Sequence, residues 1–183
     1  PDFLDNQHTI ETAEDAEAYV SRVNMLADVL TAETERMQED FARGVIPPDF
    51  ILAKAISQQE GMTGTAAAQS PIVGSVARRT REKGLSGDWA ARTERLLTER
   101  VYPALAAQTA ALKAIQPRAG HDPAVYSLPQ GEEFYANSPR LMTTTNLTAD
   151  EIHRIGLEQV AELKARADAV LKAQGLSPGT GPD

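Results

Sequence analysis

Three histidines, His8, His121 and His153, are the first residues to consider for metal binding or catalysis. A zinc site on a helix usually takes two histidines four residues apart, with a glutamate beside the first. No pair of these histidines has that spacing. Asp150 and His153 resemble half of a di-iron carboxylate set, but the second pair and two further carboxylates are missing. Because most single histidines have no metal role, we interpret His153 as an ordinary residue in the first turn of a helix.

Two pairs of carboxylates are the next candidates, for acid–base catalysis. Glu35 and Glu39 are one helical turn apart, and Glu132 and Glu133 are adjacent. Paired carboxylates do such work when their surroundings separate their proton affinities. On a strongly charged helix they are usually just solvated. Glu132 and Glu133 more simply favour a helix start, where negative charge meets the positive end of the dipole.

One basic cluster offers phosphate binding as a further possibility; it comprises Arg78, Arg79, Arg81 and Lys83. No aromatic stacking platform accompanies it. Cations in the last turn of a helix that ends at Gly84 are the simpler interpretation.

Other motifs add no chemistry. The segment 61–65 lacks the Gly-Lys-Ser/Thr ending of a phosphate loop, and no G-x-S-x-G elbow occurs. The threonines at 143–145 have no base beside them in sequence and are predicted to form an exposed connection. We therefore predict no catalytic, cofactor-binding or metal-binding residue.

Composition excludes several classes of protein. The 183 residues include 18 Lys+Arg and 26 Asp+Glu, a formal charge of −8, which argues against nucleic acid or an anionic membrane as the main partner. The absence of cysteine excludes a disulfide scaffold, a thiol nucleophile and cysteine-based metal sites. No apolar run approaches the ~20 residues of a transmembrane helix.

The elements that position these residues are predicted to be helices. Over 13–43 one apolar stripe recurs at helical spacing, and it consists of Ala16, Tyr19, Val23, Leu26, Leu30, Met37 and Phe41, with Thr34 in the gap. Thr12 and Asp15 have the spacing of a capping box, and Gly44 supplies the stop. Such a helix is about 45 Å long, more than the ~30–35 Å diameter of a compact domain this size, so we expect a companion, such as a helix outside these residues.

A second helix is predicted to begin at Pro47–Pro48 and to end at Gly61. Its expected apolar positions are Phe50, Ile51, Ala55 and Ile56. Residues 61–75 are interpreted as mostly loop, and a short helix is expected over 76–83.

The next predicted helix spans 87–115, with Ser86 as its cap. It should kink or divide at Tyr102–Pro103, because proline removes a backbone hydrogen bond and clashes with the preceding turn. A shorter helix from Glu132 is predicted to turn Phe134 and Tyr135 inward, and Pro139 makes its end ambiguous.

The last helix has the strongest signals in the chain. Thr148 and Glu151 form a capping box, Leu147 and Ile152 a hydrophobic staple, and Gly175 closes the helix. Its predicted stripe is Ile152, Ile155, Val160, Leu163, Ala167 and Val170. No strand alternation is present. The predicted fold is all-α, with long, roughly antiparallel helices and extended loops: 1–175 as a helical segment of a larger domain and 176–183 as a flexible tail.

Several segments resemble the bacterial family catalogued as domain of unknown function 885. They are PDFLDNQH at 1–8, AEDAEAY at 13–19, GVIPP at 44–48, YSLPQGEEFY at 126–135 and TTTNLTADEIHRIG at 143–156. The most specific parts are 131–135, the threonine run and the helix start at 151–153. The resemblance extends from Pro1 to about Gly175. Asn137-Ser-Pro139 departs from the uninterrupted helix expected there.

The resemblance implies a longer, largely helical parent that looks like a zinc metallopeptidase with a deep cleft. It implies a zinc motif, a His-Glu pair with a further histidine, in a C-terminal half that is absent here. Many members carry export signals or lipoprotein anchors, which implies a periplasmic or lipoprotein parent. The partners expected are the remainder of the parent or a second copy, with a peptide as the parent's substrate.

Three hypotheses remain open. The first is a non-catalytic segment of a helical zinc peptidase, cut at both ends and walling its cleft. The second is a stand-alone helical binding or scaffold module without enzymatic activity, which an extensive unpaired apolar face would contradict. The third is a small hydrolase or metal enzyme that uses His8, His121 or His153.

Overall fold

A computed structural model of the chain describes residues 2–176. Among these residues the fold is all-α, as predicted, and no strand occurs. The tail was predicted over 176–183, and all of it after Leu176 lies outside the described residues. The α-helices are α1 (Asp2–Asn6), α2 (Ala13–Ala42), α3 (Asp49–Thr63), α4 (Pro71–Glu82), α5 (Trp89–Leu96), α6 (Tyr102–Ile115), α7 (Gly131–Thr143) and α8 (Ala149–Ala173). The chain divides into two compact units, unit 1 up to Ala124 and unit 2 from Val125 onward, and each is described by itself.

The long helix α2 has the predicted start, stop and apolar stripe. The Thr12 side chain accepts from the backbone N–H of Asp15 at 3.2 Å, and the Asp15 carboxylate accepts from the backbone N–H of Thr12 at 2.9 Å. Gly44 follows with a φ of 85°. Of the predicted stripe, five members are buried against the other helices of unit 1: Ala16, Tyr19, Val23, Thr34 and Phe41. Leu26, Leu30 and Met37 are half-buried, and Val20 and Ala27, which were not predicted, are buried as well. The companion that this helix needs therefore lies within unit 1.

The predicted apolar side of α3 is partly wrong. The helix buries Leu52 and Ile56, whereas Phe50 and Ile51 are 43 and 46 % exposed. Three successive large apolar residues leave the buried side ambiguous in sequence, and packing against α6 selects the third. The helix also continues past Gly61 to Thr63, because a single glycine inside a helix costs only about 1 kcal/mol.

The loop predicted over 61–75 is wrong in its second half. A short 3-10 turn spans Ala67–Gln69, and α4 then begins at Pro71. Ser70 is the N-cap, since its Oγ accepts from the backbone N–H of Ile72 at 3.3 Å. Proline at the first helical position lacks only an N–H that would be unpaired anyway. The signal was therefore present as a Ser-Pro cap.

The predicted helix over 87–115 is three elements. α5 begins at Trp89 after Asp88, so Ser86 is not the cap. Residues Leu97–Val101 form a π-helical turn, and α6 starts at Tyr102 with Pro103 in its first turn. The interruption at Tyr102–Pro103 is thus confirmed. The wider turn accommodates the proline, which cannot donate to the carbonyl four residues earlier.

Two hydrophobic clusters hold unit 1 together. The larger lies where α2 packs on α4, α5 and the π turn, and includes Tyr19, Val23, Val76, Trp89 and Leu97. The smaller lies between α3, α6 and the end of α2, and consists of Phe41, Leu52, Ile56, Leu112 and Ile115. No hydrophobic residue beyond Ile115 is buried among the described residues. Both clusters are therefore properties of unit 1.

Unit 2 has well-formed helices without such a cluster. α8 has the predicted capping box: Thr148 Oγ1 accepts from the Glu151 N–H at 3.2 Å, and the Glu151 carboxylate accepts from the Thr148 N–H at 2.8 Å. α7 runs through Pro139 to Thr143. The departure at Asn137–Pro139 therefore does not end this helix.

The central packing makes a direct prediction for Leu97, which is fully buried at the π turn. Leu97→Ala should lower the free energy of unfolding by about 2–5 kcal/mol, because the lost contacts leave a cavity. Urea titration of the 183-residue chain measures this change. Leu163→Ala, at a position 57 % exposed on α8, is the matched control and should change it by less than about 0.5 kcal/mol. Equal effects of the two substitutions would contradict the packing described here.

Candidate functional site

His8 lies beside α2 in a polar layer with both ring nitrogens engaged. Nε2 and the Asp15 carbonyl oxygen are 2.9 Å apart, and the Arg22 guanidinium contacts Nδ1. A carbonyl only accepts and a guanidinium only donates, so the proton belongs on Nε2. The ring also meets Tyr19 edge-on, with 5.4 Å between centroids. An arginine cation at Nδ1 opposes a metal ion there, and the contacts with Asp15 and Arg22 tie His8 to α2.

His121 and His153 lie elsewhere and do not join His8 in a ligand set. His121 Nδ1 is 2.8 Å from Asp49 Oδ1, and its ring packs edge-on against Phe50, which fastens the loop after α6 to the start of α3. His153 is exposed near the start of α8, in unit 2. Across residues 2–176, no group of three or more His, Asp or Glu side chains could hold a metal ion. The residues described do not fit the zinc that the family resemblance implies.

The basic cluster on α4 binds the N-terminal segment of the chain. Arg79 donates to the carbonyl of Leu4 at 3.1 Å and also to that of His8. Lys83 forms an ion pair with Glu11. The predicted interpretation as a charged helix end is incomplete, because three of its four cations make long-range contacts. We name Ser75, Arg78, Arg79 and Lys83 the α4 clamp.

Asp5 is the carboxylate that the α4 clamp holds. Ser75 Oγ donates to Asp5 Oδ1 at 2.5 Å, and Arg78 Nη2 donates to the same oxygen at 3.1 Å. The Ser75 hydrogen bond, assisted by the charges of Arg78 and Arg79, lowers the pKa of Asp5. Asp5, Ser75 and Arg78 line a cleft of about 410 Å³ beside Tyr19. The serine donates to a carboxylate and has no histidine beside it in these contacts, so the arrangement lacks the base that a serine nucleophile requires.

Tyr19 closes the inner side of this cleft. Its hydroxyl donates to the carbonyl of Ile72 at 2.9 Å, and burial raises the pKa of Tyr19. A neutral hydroxyl that satisfies a buried carbonyl is a structural contact.

A second charged contact joins α2 to α5. Arg92 Nη1 and Nη2 donate to the two oxygens of the Glu17 carboxylate, at 2.7 and 2.8 Å. Trp89 Nε1 donates to the same carboxylate at 2.9 Å. The Arg92 hydrogen bonds, followed by that of Trp89, lower the pKa of Glu17. Farther along α2, Arg100 binds Asn24 and Asp28. Glu17, Asn24 and Asp28 recur at spacings of seven and four, a polar stripe that could have predicted this contact line.

The paired carboxylates form no site. Glu39 lies 4.0 Å from Arg43 in an exposed pair, and Glu35 is exposed. Glu132 and Glu133 occupy the first turn of α7, as expected from the helix dipole.

Unit 2 presents apolar residues to solvent on both of its helices. On α7, Phe134 and Tyr135 are 64 and 53 % exposed, so the inward orientation predicted for them is wrong within this unit. Leu141 and Met142 follow seven residues later, which is about two helical turns. We call Phe134, Tyr135, Leu141 and Met142 the α7 face. On α8, Val160, Leu163 and Val170 form the α8 face, and none of the 25 residues of that helix is buried. The stripe predicted for α8 exists. Ile152 and Ile155 are half-buried, but within unit 2 no residue covers Val160, Leu163 or Val170.

The threonine run connects α7 to α8 through a strained turn. Thr143 Oγ1 donates to the Pro139 carbonyl at 2.7 Å and accepts from the Thr145 N–H at 3.3 Å. Thr144 has a φ of 55°, a left-handed conformation that is costly for a β-branched residue. The run is exposed, as predicted for a connection into the Thr148 cap.

Gly131 explains the most specific motif of the resemblance. A Cβ at this position would lie 1.8 Å from the Val125 carbonyl oxygen, so only glycine allows α7 to start against the 125–127 turn. This contact accounts for a glycine directly before Glu132 in the segment 126–135.

The described residues form an all-α fold, and among them no group of three or more His, Asp or Glu side chains could hold a metal ion. The family model described as bacterial protein of unknown function (DUF885) matches residues 1–181. The chain belongs to this bacterial family, as the resemblance predicted. No curated protein matches the sequence.

A solved structure supports the same relationship. The putative lipoprotein from Colwellia psychrerythraea is 26 % identical, with a TM-score of 0.79. The match covers 97 % of this chain but 31 % of that one. This chain thus spans about a third of the length of the Colwellia protein. No helix in the described part of the chain is long and apolar enough to cross a membrane.

The α4 clamp predicts how the N-terminal segment is held. Arg79→Met should increase hydrogen exchange at the amides of residues 4–10 by roughly tenfold or more, because hydrogen bonds to a charged group contribute about 1.5–3 kcal/mol. Arg81→Met removes an exposed cation of the same helix turn whose side chain forms no hydrogen bond or ion pair with the described residues, and it should leave this exchange unchanged. Mass spectrometry of deuterated peptides reports both variants. Similar protection in the two would show that the clamp does not hold this segment.

The Glu17 contact predicts part of the acid sensitivity. Folding lowers the pKa of Glu17 from 4.5, so the ionised carboxylate stabilises the folded chain at pH values above 4.5. This stabilisation is lost as the pH falls through the lowered pKa of the folded state. Glu17→Gln should therefore be less stable than the natural chain at pH 7, and the difference should shrink towards pH 3. Urea titration at several pH values measures it. Glu14→Gln, at an exposed position on the same helix, is the control, and a gap for Glu17→Gln that is constant with pH would contradict this assignment.

Proposed function

We propose that this chain is a non-catalytic helical portion of a larger zinc-dependent peptidase or hydrolase, where it contributes to the scaffold and the cleft wall. The observation that carries the proposal is the uncovered α8 face. A soluble helix of 25 residues gains most of its stability by packing an apolar side. Each fully buried Val or Leu contributes about 1.5–3 kcal/mol. A covered α8 face would thus be worth several kcal/mol.

The occupant proposed for the α7 and α8 faces is the remainder of the parent polypeptide. The Colwellia protein supports this, because about two thirds of its chain lies outside the matched part. The extra chain of such a relative can supply further helices, and an apolar, uncharged face is what a helix interface requires. The extensive exposed faces also count against unit 2 as a finished, independent module.

The zinc ligands of the proposed parent would lie outside this chain. His8 has both nitrogens engaged and His121 is bound to Asp49, so neither offers a ready position in a ligand set. When bound, zinc would supply an activated water. This chain's own part would be to hold the wall against which a peptide lies. An exported parent is part of the proposal, supported by the printed description of the Colwellia protein as a lipoprotein.

The second candidate is a stand-alone helical binding or scaffold module. Unit 1 favours it, because its two hydrophobic clusters are built from its own helices. The same observation is compatible with a lobe of a larger protein, and the exposed faces of unit 2 favour that first candidate.

The test compares one substitution in two lengths of chain. Leu163→Ala should have almost no effect on the free energy of unfolding of the 183-residue chain. In the full product of the encoding gene it should cost about 2–5 kcal/mol, because Leu163 is then buried. Leu97→Ala, buried in both, is the control and should be costly in each. A Leu163→Ala effect that stays near zero in the longer product, or a gene that ends near Asp183, would overturn the proposal.

Metal content tests the catalytic part separately. The purified 183-residue chain should hold clearly less than one equivalent of zinc, and the full gene product about one. Peptide hydrolysis should follow the zinc. Stoichiometric zinc, iron or manganese in the short chain would instead support the third hypothesis, an enzyme that uses His8, His121 or His153.

A further inference from the structure

Unit 1 contains an apolar pocket that none of the sequence motifs points to. It lies between α3, the start of α4, the π turn and the start of α6, and has a volume of about 280 Å³. Its walls include Ile72, Leu97, Val101 and Leu105, all buried, and Met62 lies among the residues that line it.

The pocket borders the larger hydrophobic cluster of unit 1. Ile72, Leu97 and Val101 belong to the larger cluster, whereas Leu105 is buried but belongs to neither. An apolar recess that opens to solvent beside a packed core is the kind of place where small molecules bind. Its floor is the π turn, and π turns are frequent at functional sites.

The lining determines what kind of molecule would fit. No charged side chain lines the pocket. The Thr65 hydroxyl already donates to the Gly61 carbonyl at 3.2 Å, and the Ser70 hydroxyl oxygen accepts from the Ile72 N–H. Gln58 and Tyr102 also line the pocket, and both side chains are polar but uncharged. A charged ligand would therefore lose its hydration without gaining an opposite charge.

Volume sets the size of the ligand. An engineered apolar cavity of about 150 Å³ holds benzene, so 280 Å³ has room for a somewhat larger ring system. We propose that this pocket binds a small, uncharged aromatic molecule of one or two fused rings. The proposal concerns unit 1 alone and does not depend on the function proposed for the parent.

Indole is a suitable probe, because it is uncharged and has two fused rings. In NMR spectra of the 183-residue chain, its ring protons should show nuclear Overhauser effects to the methyl groups of Ile72, Leu97 and Leu105. These methyls line the pocket and are buried, so the contacts locate the ligand directly.

Two glycine substitutions provide a matched pair. Gly61 in α3 and Gly74 in α4 are both inside helices, and a Cβ at either would meet no atom within 4 Å. Gly61 lines the pocket and Gly74 lines the separate cleft beside Asp5. Gly61→Phe should fill the mouth and weaken indole binding at least about tenfold, whereas Gly74→Phe should leave it within about twofold.

Three results would overturn the proposal. One is the absence of indole contacts to Ile72, Leu97 and Leu105 at millimolar ligand. Another is equal binding by the two glycine variants. The third is a set of contacts confined to Leu163 and its neighbours, which would show binding to the exposed α8 face instead.

Discussion

Burial of one side of α2 is the constraint on which unit 1 depends. Thirty residues of helix carry a continuous apolar stripe, and α4, α5, the π turn and α6 are arranged along it. The polar contacts lie beside this stripe: Arg92 binds Glu17 at one end and Arg100 binds Asp28 farther along. Charged groups at the edge cost little desolvation, so they fix the register of α5 while the apolar side supplies the free energy.

The same constraint is left unmet in unit 2. Its helices begin with sound local signals, and the Glu151 carboxylate at the α8 start has its pKa lowered by the Thr148 N–H that it accepts. Within unit 2, their apolar faces nevertheless remain exposed. Local capping determines where a helix starts, but only packing determines where its apolar side goes. The two units therefore differ in how far their own residues bury their apolar sides.

The sequence predicted what depends on a few neighbouring residues. Both capping boxes, at Thr12 and Thr148, and the division at Tyr102–Pro103 are in the structure. The prediction was wrong where a neighbouring helix determines which side is buried. α3 buries Leu52 rather than Phe50 and Ile51, because α6 packs on that side. The α4 clamp was also missed, since Arg79 binds backbone carbonyls more than 70 residues away, and any residue type provides a carbonyl. No sequence pattern brought the three histidines or the carboxylate pairs together, and the expectation that none of them is catalytic or binds a metal stays a prediction.

The π turn at Leu97–Val101 also sets the rotation of everything after it. A π turn holds one residue more than an α turn, and one residue corresponds to about 100° around a helix axis. If these residues continued α5 as a regular helix, α6 would be rotated by that angle. Leu112 and Gln108 would then turn away from α3. The hydrogen bond that Gln59 Nε2 donates to Gln108 Oε1 at 2.6 Å could not form. The π turn thus rotates α6 relative to α5, so that α5 can pack on α2 while α6 faces α3.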